Sequence, residues 1–145
     1  MIDGSITVMK KYVHSETPAR DAMVSDWLMV ALGGAIGAVL RFYVNEALPT
    51  EAHPWGTLTV NLVGSVLLGS LTALFAANAL SEQQVLFLGV GVLGAFTTLS
   101  TFSVETAALA DDGRWLTALA YVGLTGVVAP LLAFLSWKGT GHWLA

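Results

Sequence analysis

Residues 94–105 read GAFTTLSTFSVE, and all but the last of them lie in a run that carries no charge from residue 83 to residue 104. Five hydroxyls and one carboxylate fall within these twelve residues. Thr97, Thr98, Ser100, Thr101 and Ser103 go all round a helix rather than along one face, because each residue of a helix turns by about 100° from the last. A lone hydroxyl in lipid bonds back to its own helix. A cluster on every face, led by Gly89, Gly91 and Gly94, favours a helix that breaks here over a continuous one with hydroxyl-rich packing. Broken backbone at membrane depth is tolerated only when buried in protein or lining a water-filled cavity. Such breaks supply carbonyls to cations and amides to anions.

The rest of the chain supports a membrane reading. Of its 145 residues 55% are hydrophobic and 11% charged, against about a quarter charged in soluble domains. Residues 27–40, 54–81 and 115–137 are also free of charge. Three of the four runs exceed the roughly 20 residues that cross a bilayer as a helix. The first reaches that length by including Arg41, whose long side chain can snorkel to the interface. Four transmembrane helices are therefore expected, near 27–47, 55–79, 83–110 and 114–137. A soluble helical bundle is disfavoured, since no stretch shows a clean polar face.

One membrane domain over 27–138 follows, with a tail at each end. Residues 1–26 are polar and lack the apolar core of a signal peptide. They are expected to be disordered, and Met23 is an alternative start. Residues 139–145 form a short second tail. With four spans, Lys10, Lys11, Arg20 and Lys138 share one side of the membrane, and Arg41 and Arg114 the other. Without the tail the bias that sets orientation nearly vanishes, so insertion both ways and antiparallel pairing become possible.

Several chemistries are excluded. There is no cysteine, hence no disulfide or thiol-ligated metal. His14, His53 and His142 have no metal-ligand spacing. No basic patch suggests nucleic acid. The spans hold no His, Cys or Lys and no pair of acids, so an enzyme is not expected.

What remains is polar punctuation. GGAIGA at 33–38 sets Gly33 four residues before Gly37 and Gly34 four before Ala38, small-residue spacings that let another helix approach. Arg41 is an interface anchor, or a group that concentrates anions at a mouth. Asn61, in GTLTVNLVGS at 56–65, lies about 9 Å along its helix from Trp55. It is equally an interhelical link or a lining residue. Glu105 is an intramembrane acid, a functional candidate by default, or an interfacial cap. Tyr121 and Thr125 share a face, followed by Ala129, and Pro130 is expected to kink that helix. A route of Asn, Ser, Thr and Tyr donors without fixed charge suits a small anion that must also leave. The positive ring edges of Phe96 and Phe102 would assist it. Two other classes stay open. A small multidrug exporter would place an acid within the first span, and none lies between Asp26 and Glu46. A structural membrane subunit would explain the glycines but not the hydroxyls.

GGAIGAVLRF, GTLTVNLVGS and GAFTTLSTFSVE, in this order, resemble the Fluc/CrcB fluoride channels over roughly residues 29–137. The resemblance implies an all-α membrane fold of four helices with the third broken, assembled as an antiparallel dual-topology dimer with two fluoride pores. It implies a structural sodium ion on the dimer axis, held here by the backbone carbonyls of Gly94 and Thr97. The fluoride pathway it implies comprises Arg41 at the vestibule, Asn61, Phe102, Ser103, Glu105, Tyr121 and Thr125. It also implies passive export of fluoride across a prokaryotic plasma membrane, and fluoride resistance. Two positions depart from the pattern: Leu99 stands where a pore phenylalanine is usual, and Ala129 replaces the next hydroxyl of the polar track. A heterodimer with a second homologue that supplies the missing groups is therefore kept beside the homodimer.

Overall fold

The computed structural model describes residues 20–48 and 53–144. Expectations for His14, Lys10 and Lys11 lie outside these residues. Four helices are long and apolar enough to cross a membrane: α1 over Arg20–Ala47, α2 over Trp55–Ala76, α3 over Glu82–Asp111 and α4 over Trp115–Trp143.

Helix ends follow local chemistry. α2 stops short of residue 79 because Asn78 takes a left-handed conformation with φ 57°, which asparagine tolerates better than most residues. The Ala79 N–H then bonds Leu74 O and the Asn78 N–H bonds Phe75 O, both at 2.9 Å, closing the helix as a Schellman motif. Gly113, with φ 73°, ends α3 in the same way. The Arg114 N–H bonds Leu109 O at 2.9 Å and the Gly113 N–H bonds Ala110 O at 3.0 Å. Ser81 opens α3 with a reciprocal capping box to Gln84. These tight turns force antiparallel neighbours.

Two boundaries correct the sequence reading. α1 begins at Arg20, so residues 20–26 are helical rather than part of a disordered tail. A polar composition does not break a helix, and RDAMVSD contains neither glycine nor proline. α4 runs through the segment expected as a C-terminal tail to Trp143, because the Thr140 hydroxyl is bonded to Ser70 on α2 at 3.2 Å.

α1 packs on the first half of α3 through backbone. A Cβ on Gly37 would strike the Val92 carbonyl, and one on Gly33 the Phe87 carbonyl. The turns of α3 that receive them, residues 86–93, are widened to i→i+5 bonding. α4 widens in the same way over Leu124–Val128, where the Ala129 N–H bonds Leu124 O. Pro130 explains this second widening. Its ring would clash with the carbonyl four residues back in a regular helix. The widened turn takes the place of the expected kink. At one end of the bundle Leu58, Leu109, Ala118 and Tyr121 form a buried cluster, with Leu62 and Phe102 against it. Large apolar side chains such as Trp27, Phe42, Leu116 and Val127 face outward, as lipid contact requires.

Candidate ion pathway

The third helix breaks at the opening motif. Thr97 (φ −80°, ψ 154°) and Thr98 (φ −150°, ψ 117°) are both extended. Three devices hold them. Gly64 on α2 leaves space that the Thr97 methyl fills. The Thr97 hydroxyl and N–H both donate to Leu93 O, each at 3.1 Å, and close the first half. The Thr98 hydroxyl accepts the Thr101 N–H at 3.3 Å and caps the second half, Leu99–Asp111, as an N-cap threonine does.

Asn61 fastens the break to α2. Its Oδ1 accepts the Thr98 N–H at 2.8 Å, and its Nδ2 donates to Thr98 O at 3.1 Å. Asn61 and Thr98 are both buried. One side chain thus satisfies both backbone polar groups of Thr98, which would be expensive to leave bare in lipid. Of the two alternatives for Asn61, the structure shows the interhelical link, and the second N–H of Nδ2 remains for another partner. Because the Thr98 N–H goes to Asn61, the Gly94 carbonyl loses the donor a continuous helix would give it. The carbonyls of the last turn before the break are left without intrahelical partners.

One to two turns further on, Glu105 joins three helices. Its Oε1 accepts the Thr57 hydroxyl from α2 at 3.0 Å, and its Oε2 accepts the Tyr121 hydroxyl from α4 at 2.7 Å. Thr57 and Tyr121 are almost completely buried, at 1% and 3% exposure. Phe102 meets the Tyr121 ring edge to face, with centroids 4.9 Å apart and planes at 65°. Thr57 was not singled out by the sequence reading. Its signal is the spacing of four to Asn61, which sets both on one face of α2. One turn beyond Tyr121, in the widened part of α4, the Thr125 hydroxyl is buried with no hydrogen-bond partner.

The structure therefore brings Asn61, Phe102, Glu105, Tyr121 and the break together. Ser103 stands apart: it is exposed, and its hydroxyl donates back to Leu99 O at 2.8 Å. Arg41 is half-buried on α1, six residues before that helix ends, and does not join the cluster. Phe96 is packed inside the chain against Gly64. Gly94 is exposed at the break. Among the described residues no group of three His, Cys, Asp or Glu is arranged to hold a metal; the oxygens at the break are backbone carbonyls and Thr and Ser hydroxyls. Oxygen-only sites of that kind suit hard cations.

Residues 28–137 match the family profile described as CrcB-like protein, Camphor Resistance (CrcB). The chain belongs to the CrcB family. Among its CrcB relatives, a protein of Idiomarina loihiensis named fluoride-specific ion channel FluC is 47% identical over 108 residues, covering 72% of this chain and 84% of that one. One of the same name from Thermus thermophilus is 44% identical over 119 residues, covering 79% and 93%. A third, from Novosphingobium aromaticivorans, is 51% identical over 89 residues, covering 58% and 71%. These names describe ion channels, not enzymes. With four spans and bacterial CrcB relatives, the chain is a multi-pass membrane protein of a prokaryotic family.

Proposed function

We propose that the chain is a fluoride-selective ion channel that lets cytoplasmic fluoride leave the cell passively, lowers its concentration and confers fluoride resistance. The observation that carries this reading is the 47% identity, over most of both chains, to a relative named as a fluoride-specific channel. The geometry supports it. The Thr57 and Tyr121 hydroxyls both point their donors at one group, the Glu105 carboxyl oxygens. Asn61 keeps an amide N–H and Thr125 a hydroxyl for another. The donors are neutral, so an anion can be bound without being trapped. Hydrogen fluoride enters a cell neutral and dissociates inside; an inside-negative potential then drives fluoride out through an open pore in the plasma membrane.

The working unit is a dual-topology dimer. The break supports this: Gly94, Leu99, Ser100 and Ser103 all face outward at the middle of α3, and a polar break at this depth needs protein or water against it. A second copy lying antiparallel covers it. The freed carbonyls of Gly94 and Thr97 from both copies would then surround a sodium ion on the dimer axis, whose charge favours nearby anions. Arg41 raises the anion concentration at the vestibule, Phe102 offers a ring edge, and Ser103 lies beside the pore at the subunit boundary. Leu99 is 73% exposed and Ala129 buried; a heterodimer partner with phenylalanine and a hydroxyl at these positions is the second reading.

Fluoride efflux from liposomes carrying the purified protein tests the reading, with chloride as control and an ionophore to relieve voltage. Rapid fluoride loss with little chloride loss is expected. No flux from folded protein, alone and with a co-expressed homologue, would reject the channel in favour of a non-transporting subunit. Proton-coupled movement of organic cations would favour the exporter.

A further inference from the structure

A second polar cluster lies at the opposite end of the α2–α4 pair from Glu105. The Thr140 hydroxyl donates to Ser70 at 3.2 Å. Ser70 and Ser136 share a bond at 2.6 Å, and Ser136 donates to Val66 O at 2.7 Å. Since Ser136 spends its only proton on Val66, Ser70 must donate to Ser136. The chain of bonds therefore runs one way, from Thr140 through Ser70 and Ser136 to the α2 backbone. Just before it the helices touch backbone to backbone, for a Cβ on Gly69 would strike the Ala133 carbonyl.

The two helices are thus tied at both ends, by Ser70 with Ser136 and by Thr57 with Tyr121 through Glu105. The anchors stand thirteen residues apart on α2 and fifteen on α4. At the rise of a regular helix that is a mismatch of about 3 Å. The widened turn at Leu124–Val128 lies between the α4 anchors, and a wide turn holds extra residues without matching length. It also contains Thr125, whose hydroxyl is left without a partner.

We propose that Ser70, Ser136 and Thr140 are positioning residues of the permeation route. They fix the register of α4 on α2, and this register keeps in place the widened turn that Pro130 imposes and presents the free Thr125 hydroxyl next to Tyr121. The inference rests on the channel reading above.

The test uses full-length protein at low density in liposomes. There the fraction of liposomes that empties counts active channels, and the rate of emptying reports throughput per channel. Ser136→Ala and the milder Thr140→Val should slow emptying severalfold while the active fraction holds, and Ser136→Thr should restore the rate. Deletion of Gly126, which has no neighbouring atoms for a side chain to meet, shortens the widened turn by one residue. Alone it should slow emptying and lower the thermal midpoint. Combined with Ser136→Ala it should do no more harm than either change alone, since register is then no longer imposed from both ends. Losses that simply add, or a Ser136→Ala effect confined to the active fraction, would overturn the proposal. If the parent conducts no fluoride, alone or with a co-expressed homologue, the channel reading fails by itself, and the thermal midpoints of the parent, Ser136→Ala, the Gly126 deletion and their combination still decide whether the register is clamped.

Discussion

At the scale of single residues, the Asn61 amide has the most to lose. It meets the Thr98 N–H and C=O with complementary groups on one short side chain. Asn61→Asp keeps an acceptor, removes the donor and sets a negative charge against a carbonyl. Leaving Thr98 O unsatisfied costs about 1–3 kcal/mol, with the charge repulsion added. Fluoride throughput should vanish and the thermal midpoint should fall; parent-like values of both would show that Asn61 holds neither the break nor the path. The sequence made Asn61 a candidate because a buried amide needs partners. It left the partner open, since Thr98 is 37 residues away. Thr57 escaped notice for the same reason. A threonine near a helix start looks ordinary until Glu105, 48 residues on, is found against it.

At the scale of elements, the four spans and the break were legible from local pattern. Long uncharged runs identify membrane helices, and hydroxyls on every face cannot all be packed along one groove. The glycines were legible only as two equivalent pairs. The structure distinguishes them: a Cβ on Gly37 would meet the α3 backbone, whereas Gly34 has open space. A backbone obstacle cannot rotate away. Gly37→Ala should therefore lower the thermal midpoint and the yield of monodisperse protein, while Gly34→Ala should leave both near the parent. Equal behaviour of the two variants would contradict the packing of α1 on α3. The widened turns were not legible, because they answer to contacts between helices and, at Pro130, to a clash that could equally have produced a kink.

At the scale of the whole molecule, the outward face of the break sets the terms. Gly94, Ser100 and Ser103 are exposed midway along α3, where a monomer in lipid would leave them uncovered. In the proposed dimer, pairing of two copies around sodium would cover them together. Replacing sodium with choline during dialysis should lower the thermal midpoint of the purified protein, and an unchanged midpoint would count against a cation at the break. The chain carries no cysteine, so a single Ser103→Cys reports on pairing: a disulfide or short-linker dimer in native membranes is expected, and persistent monomer would count against it.

The grip of Asn61 on Thr98 also bears on how the protein is made. α3 leaves the ribosome after α2, and while it passes into the bilayer by itself an extended pair of residues at its middle would bare peptide groups to hydrocarbon, at several kcal/mol for each unsatisfied group. The expected order is therefore that a nascent third span enters as an unbroken helix and opens afterwards, when Asn61 exchanges its bonds for those of the helix. A synthetic peptide of residues 82–111 in bilayers should accordingly be helical through 97–98 by solid-state NMR, and extended torsions there would mean the break is intrinsic. With a helical peptide, the break at the heart of the mature protein would be a product of assembly, made by Asn61 on α2 rather than by α3 itself.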